Sequence, residues 1–425
     1  MKILRIISHI KYILKAIFKF FALLLLLAIL GYLVWIKLFY KPEELGISFT
    51  STPDRITLLV GEELSSSRYI TWRCNSTIEQ NSYVELISYG KDTTKIPAKG
   101  TITKNRSSKA AYYSAKLTNL TTGNYSYRVV NNSVKSKWNN FSLAANRDSI
   151  TNFIYIGDIQ DAMHNISPKD FKKIDSLAPN AEFWAFGGDM VQRPIDGYWD
   201  YWYNSLDSIA RSIPLASVPG NHEYFEGLPF KCDPRWQASY NPYGNGPKGD
   251  RYHSFYFTNS QICFISFDSN NCLINPFTMY YHYKWMEEIM SKNSDKWIFV
   301  MQHHPLYSLS KSRNNFGIRN ILRPLYEKYN VTLVLQGHDH AYGRRATKKE
   351  EGNNCINAED SLEAQPPIYI VSSCSPKTYK DIDVSKYDVT TIQQRLFQTI
   401  SVTSDTLKYN SYTIDGVLND SFTLY

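Results

Sequence analysis

Five times between Thr151 and His340, a short run of β-branched and aromatic residues stops at a side chain that can hold a metal ion. Phe153-Ile154-Tyr155-Ile156 ends in Gly157-Asp158-Ile159-Gln160, and Phe183-Trp184-Ala185-Phe186 ends in Gly187-Gly188-Asp189. Pro214 to Val218 leads into Gly220-Asn221-His222-Glu223. Trp297 to Met301 leads into Gln302-His303-His304-Pro305, and Val331 to Leu335 into Gly337-His338-Asp339-His340. Each motif alone is ordinary: a Gly-Asp after a strand usually caps the next helix, and a lone Asn-His or His-x-His is more often structural. The repetition, in one order, carries the signal.

Runs of this length and composition, separated by helical patterns, read as buried parallel strands. Ligands in open α/β sheets bind beyond the carboxyl ends of such strands. The five motifs therefore predict one site assembled from five strand ends. Between them, Ser167 to Leu177 opens on Ser-Pro and spaces Phe171, Ile174 and Leu177 three apart, as in a helix. Tyr198 to Ile209 and Met279 to Met290 read as further amphipathic helices. Tyr224 to Phe257, rich in Tyr, Pro and Gly, reads as a long loop starting beyond His222 and forming a wall of the site. Gln398 to Leu424 alternates around Asp415-Gly416, which signals a hairpin at the outer edge of a sheet.

The chain ahead of Thr151 has a different pattern. From Ile47 to about Ala144, short alternating stretches such as Arg55 to Val60, Tyr69 to Trp72, Tyr83 to Ile87, Tyr112 to Leu117 and Tyr125 to Val130 are separated by turn residues. Roughly seven strands at this spacing argue an all-β sandwich. It holds no histidine, so its expected role is to space the following domain from what precedes it and to pack against that domain. Phe20 to Ile36 is uncharged and apolar, includes five consecutive leucines, and is flanked by Lys19 and Lys37. That length just spans a bilayer. No small-x-small cleavage site follows before Lys41, so the run reads as an uncleaved single-pass anchor with its basic end cytoplasmic.

Composition bounds the rest. The 425 residues suffice for two folded domains and a tail. Of the formal charge of +8, five positive charges lie in the first twenty residues. The remaining +3 or so is too little for a polyanion-binding face, so no nucleic-acid partner is expected. Six cysteines show no C-x-x-C spacing, which argues against a cysteine zinc site. A Cys355–Cys374 disulfide is an open alternative to free thiols, and Cys263 reads as a buried thiol.

The ordered set Gly157-Asp158, Gly188-Asp189, Gly220-Asn221-His222-Glu223, His303 and Gly337-His338-Asp339-His340 resembles the calcineurin-like metallophosphoesterase superfamily, nearest to its purple acid phosphatase branch. Val300-x-x-His303 and His340-Ala341-Tyr342 extend the likeness, and Leu117 to Arg128 resembles the corner of a fibronectin type III module. The resemblance implies a four-layer α/β/β/α sandwich with a dinuclear centre. Two cations about 3.5–4 Å apart would make the nucleophile and offset the charge on phosphorus. By motif, Asp189 bridges them, Asp158 and His340 hold the first, and Asn221, His303 and His338 hold the second. Carboxylates, one amide oxygen and imidazoles suit two divalent ions of Fe, Mn or Zn. His222, beside a ligand, protonates the leaving alkoxide.

Two positions depart from the family. Gln192 stands where purple acid phosphatases carry the tyrosine that gives their colour, so the centre is expected to be colourless. Gln160 stands where many members have histidine; Asp-x-Gln resembles certain manganese-dependent pyrophosphatases, which makes Gln160 an expected first-metal ligand. His304 and Arg251 are candidate substrate contacts, with Lys231 and Arg235 weaker ones. His253, His282, His164 and His9 read as packing or surface residues.

The expectation is a membrane-anchored, extracytoplasmic phosphomonoesterase acting on a phosphorylated small molecule. Its parts would be an anchor over 1–41, a fibronectin III-like sandwich over 45–146 and a metallophosphoesterase domain over 150–425. One rival is a phosphodiesterase or pyrophosphatase acting on nucleotides or phospholipid head groups. The other is a degenerate adhesion or scaffold module, against which the presence of every carried-over ligand except the tyrosine speaks.

Overall fold

The computed structural model describes residues 2–38, 51–88, 90–104, 109–144, 149–160, 167–225, 231–346 and 365–425. An apolar helix runs Lys2–Leu38, and its His9–Trp35 stretch has a mean hydropathy of 2.6 with no part buried. It is long and apolar enough to cross a membrane by length and composition.

The apolar runs that end in ligand-type residues divide between two sheets. Thr151–Ile156, Phe183–Phe186 and Leu215–Ser217 lie parallel in a ten-stranded sheet. Trp297–Gln302 and Leu333–Gln336 lie parallel in a seven-stranded sheet, flanked by the parallel strands Ile262–Phe267 and Ile368–Val371. Their side chains are buried on both faces, which is why they read as continuous apolar runs instead of alternating ones. Phenylalanines join the sheets: Phe153 meets Phe264 and Phe299 edge-on at 5.7 and 5.3 Å, and Phe183 meets Phe257 at 5.2 Å. Such edge-to-face pairs add to the gain from burying the rings.

The helix at Ser167–Leu177 has the expected bounds. The one expected at Tyr198 to Ile209 is instead Asp196–Leu206 followed by a short Ile209–Ser212 turn, broken where Asp207 adopts φ 45°. The third is longer than expected, Pro276–Lys292, because the Asn275 side chain accepts from the Phe277 and Thr278 N–H groups ahead of Pro276. Tyr224 to Phe257 is not one loop. It contains a small hairpin pairing Tyr224–Phe225 with Lys231–Cys232, and a helix Pro234–Tyr240 that buries Trp236 and Tyr240. At the chain's end, Leu396–Val402, Leu407–Thr413 and Leu418–Leu424 form an antiparallel edge beside Thr151–Ile156.

The β-rich region ahead of Thr151 has nine strands among the described residues, and it is fused to the rest. Asp54–Val60 pairs in parallel with Leu215–Ser217 through Leu59 and Leu215. The ten-stranded sheet therefore runs unbroken from the C-terminal hairpin through the site strands to Lys99–Lys104. The junction also buries charge: Asp196 receives Arg55 at 2.9 Å, Arg73 at 3.1 Å and Arg235 at 3.3 Å. Arg235 also pairs with the buried Asp233 at 2.9 Å, so it is not at hand for substrate. Among the described residues Cys74, Cys232, Cys263, Cys272 and Cys374 are buried free thiols; Cys355, and with it the Cys355–Cys374 pair, lies outside them.

Breaking a buried ion cluster from one side strands the remaining charges. Asp196→Asn should therefore cost about 3–5 kcal/mol in chemical denaturation of the full chain. Asp200, whose side chain is 55% exposed beside Arg55, should cost no more than about 1 kcal/mol as Asp200→Asn. Equal effects would refute the cluster's role in joining the two regions.

Candidate metal centre

Each ligand-type side chain sits just beyond its strand, so the carboxyl ends of strands from both sheets meet at one place. The sequence brings them there with sharp turns. Gly220 could carry no side chain, since a Cβ would lie 2.1 Å from Asp189 Oδ1. Asp189 and His338 adopt φ of 51° and 69°, left-handed values that cost a non-glycine residue about 1–3 kcal/mol and persist where the surroundings enforce them.

Two clusters of polar atoms result. The His303 Nδ1–H donates to the Gly187 carbonyl at 2.9 Å, which turns Nε2 towards the other ligand-type atoms. That Nε2 lies 3.1 Å from Asn221 Oδ1, 3.2 Å from His338 Nδ1 and 3.3 Å from Asp189 Oδ2. His340 is oriented in the same way, with Nδ1–H on the Lys377 carbonyl at 2.9 Å. Its Nε2 lies 3.5 Å from Asp158 Oδ2 and 3.0 Å from the Gln160 amide nitrogen. Asp158 Oδ2 and Gln160 Oε1 are buried without a hydrogen-bond partner. All seven side chains expected at the centre thus come together.

Acceptor atoms at these separations repel one another unless a proton or a metal cation lies among them. Donors about 2.1 Å from one ion and 90–110° apart would themselves be about 3.0–3.4 Å apart. The cluster around His303 therefore fits a cation, whereas in the other Gln160 turns its N–H to His340, and its unpartnered Oε1 would join Asp158 and His340 only with the amide turned over. The electrostatics agree. Burial holds Asp158 up to about 7, whereas Asp189 stays well below the usual carboxylate range because His303 outweighs its burial. Burial pulls His303 down, yet Asp189 and Asp158 together raise it to about 10. Burial pulls His340 down to about 4. The centre demands positive charge.

His222 stands beside the clusters. Its backbone N–H donates to Asp189 Oδ1 at 2.8 Å and its Nδ1–H to the Gln192 carbonyl at 2.6 Å. Its Nε2 is then left facing Asp189 Oδ2 at 4.0 Å, in a ring that is part-exposed. His304 is buried, shares a hydrogen bond between Nδ1 and Ser269 Oγ at 2.9 Å, and is pulled down to about 3 by that burial. The Arg251 side chain and His164 lie outside the described residues. His282 is a satisfied core residue, bonded to the Thr278 carbonyl and Ser254 Oγ.

Several contributors were given no role by the sequence. Glu223 is buried and accepts the backbone N–H groups of Asp189, Met190, Val191 and Gly220 at 2.8, 2.8, 3.1 and 2.7 Å, tying two site loops together. Ile368–Val371 is a sixth strand ending at the site; beyond it, Cys374 N–H bonds the Asp158 carbonyl and Ser375 Oγ the Gln160 carbonyl, both at 2.8 Å. It ends in serines, not ligand types, so only its apolar run could have marked it. Arg313 is part-exposed; its guanidinium meets His338 Nε2 and the Tyr379 hydroxyl and pairs with Asp339 at 2.8 Å.

Two facing sheets thus present carboxylates and imidazoles at their strand ends. Residues 151–342 match the calcineurin-like phosphoesterase family, and the chain carries a domain of that family. Purple acid phosphatases are its homologues. Fe(3+)-Zn(2+) purple acid phosphatase 12 of Arabidopsis thaliana is 28% identical over 188 residues, 40% of this chain and 38% of that protein. Probable inactive purple acid phosphatase 9 of the same plant is 25% identical over 174 residues, 34% of this chain and 27% of that protein. An acid phosphatase of Aspergillus ficuum is 24% identical over 234 residues, 37% of this chain and 38% of that protein. The chain thus covers well under half the length of these relatives. The solved structure of PhoD covers 86% of this chain and 87% of its own at a TM-score of 0.57 and 12% identity, a likeness of fold alone.

Removing the Glu223 carboxylate would leave four buried N–H donors without an acceptor. Glu223→Ala should lower stability by at least about 3 kcal/mol in chemical denaturation of the full chain. A loss under about 1 kcal/mol would rule it out as the tie between the loops.

Proposed function

We propose that the chain is a dinuclear-metal-dependent phosphomonoesterase, with Asp189 shared between the metals. Asp158, Gln160 and His340 would hold one ion, and Asn221, His303 and His338 the other, drawn from Fe, Mn or Zn. The observation that carries this reading is the convergence of Asn221 Oδ1, His338 Nδ1 and Asp189 Oδ2 on His303 Nε2 within 3.3 Å. Bound cations supply charge neutralisation at phosphorus and an activated water.

The chain's own groups do the remainder. Arg313 offers a guanidinium at the mouth for a phosphoryl oxygen, and His304, held neutral, lends a hydrogen bond. The Gln192 carbonyl holds the His222 Nδ1–H, so that in the imidazolium form it is the Nε2–H that faces the site and passes its proton to the leaving alkoxide. Glutamine at 192 supplies no phenolate, so the centre is colourless.

The reading extends to the whole chain: an anchor over 1–41, a fibronectin III-like module over 45–146 and a four-layer α/β/β/α domain over 150–425. The anchor is single-pass, with the N-terminus cytoplasmic and the catalytic domain beyond the membrane. Support for that comes from the length and apolarity of His9–Trp35 and the basic residues ahead of it.

Elemental analysis with p-nitrophenyl phosphate turnover tests the assignment. Wild type should carry about two transition-metal ions per chain, and Asp189→Asn one or fewer, with kcat at least about a thousandfold lower. His222→Asn should keep both ions and lose about 10²–10⁴ in kcat, more for alkyl than for nitrophenyl esters. A metal-free wild type, inert towards esters, would make the chain a scaffold. Faster release from bis(p-nitrophenyl) phosphate would make it a diesterase.

A further inference from the structure

Two segments that line the site on the side of the seven-stranded sheet both lead into exposed apolar side chains. The first is Asp268-Ser269-Asn270, beyond the Ile262–Phe267 strand. Ser269 Oγ bonds His304, and Asn270 Nδ2 donates to the Pro219 carbonyl at 2.8 Å. It runs directly into the helices Asn270–Ile274 and Pro276–Lys292, on which Ile274, Phe277 and Tyr280 are 66%, 74% and 58% exposed. The second is the segment of Arg313, which touches His338. Three residues later Phe316, 59% exposed, opens the Phe316–Lys328 helix.

These are not loose ends. The same helices turn Cys272, Met279, Met286, Ile318 and Leu322 into one shared core. Their outward faces are therefore fixed in place, and large apolar side chains left exposed on neighbouring helices that lead from the site segments suit a surface that meets something other than water.

We propose that Ile274, Phe277, Tyr280 and Phe316 form a rim that seats on a lipid bilayer, so that the site works on phosphoesters carried at a membrane surface. The proposal rests on the phosphoesterase reading above and narrows its substrate class. A bilayer is favoured over a protein partner because the chain brings one with it. The His9–Trp35 helix is wholly unburied and long enough to span. At about 3.5 Å per residue, the chain from Leu38 to Asp54 reaches no farther than roughly 55 Å, so the domain is confined close to any membrane that holds the helix. Aliphatic and aromatic side chains on short surface helices suit insertion at the headgroup boundary.

The test uses the full chain reconstituted in phosphatidylcholine vesicles containing phosphatidic acid. An environment-sensitive fluorophore is attached at Phe277→Cys in a Cys355→Ser background, the described cysteines being buried. Its emission should shift to the blue and be quenched by doxyl-labelled lipid. The triple variant Ile274→Ser, Phe277→Ser, Phe316→Ser should release phosphate from phosphatidic acid about tenfold or more slowly, while p-nitrophenyl phosphate is turned over at the wild-type rate. A label that stays aqueous, a label buried by dimerisation without lipid quenching, or an unchanged ratio of the two rates would each overturn the rim. Failure of the wild type on both esters would instead overturn the phosphoesterase reading, and the fluorophore would still decide the rim.

Discussion

Two buried carboxylates, Asp158 and Asp189, point with the imidazoles of His303 and His340 into one small volume, where the two acids repel each other and draw positive charge towards them. The domain is built to hold them there against that repulsion. His338 and His222 pin one oxygen of each acid through backbone N–H groups at 2.8 Å. Carbonyl oxygens at Gly187 and Lys377 turn the imidazoles so that their free nitrogens face inward. Glu223 knots the two loops that would otherwise spring apart, and left-handed backbone at Asp189 and His338 records the effort. Such a preorganised cage stores electrostatic tension that a cation relieves.

Much of this was legible in the chain. Run length and β-branched composition marked the strands, and the abrupt ligand-type residues after them marked where they end. What stayed hidden has physical reasons. An apolar run looks alike in either of two sheets, so which strands fall in which sheet could not be read from the runs themselves. Glu223 is one acid among many until its four donors are seen. Lys377 acts through a carbonyl that every residue possesses, and Arg313 arrives from a segment with no motif. Tyr224 to Phe257 looked structureless because its glycines, prolines and tyrosines hide a helix stabilised by burying Trp236 and Tyr240, a tertiary effect that outweighs local propensity.

The relation between the two halves was the largest difference. Alternating strands ahead of Thr151 suggested a separate module, and its own core around Trp72, Tyr113 and Tyr127 does exist. Yet Leu59 and Val60 belong to the core of the catalytic half, and Arg55 and Arg73 reach into it to grasp Asp196. Pairing between residues so far apart in sequence cannot be read from periodicity.

That shared sheet sets an order of events during synthesis. The Asp54–Val60 strand leaves the ribosome long before Leu215–Ser217, its neighbour in the finished sheet. Until then it shows an open edge, with apolar Leu58, Leu59 and Val60 side by side. Nascent chains with unpaired edges are prone to wrong partners. A gene fragment ending near Ala144 would keep that edge permanently bare.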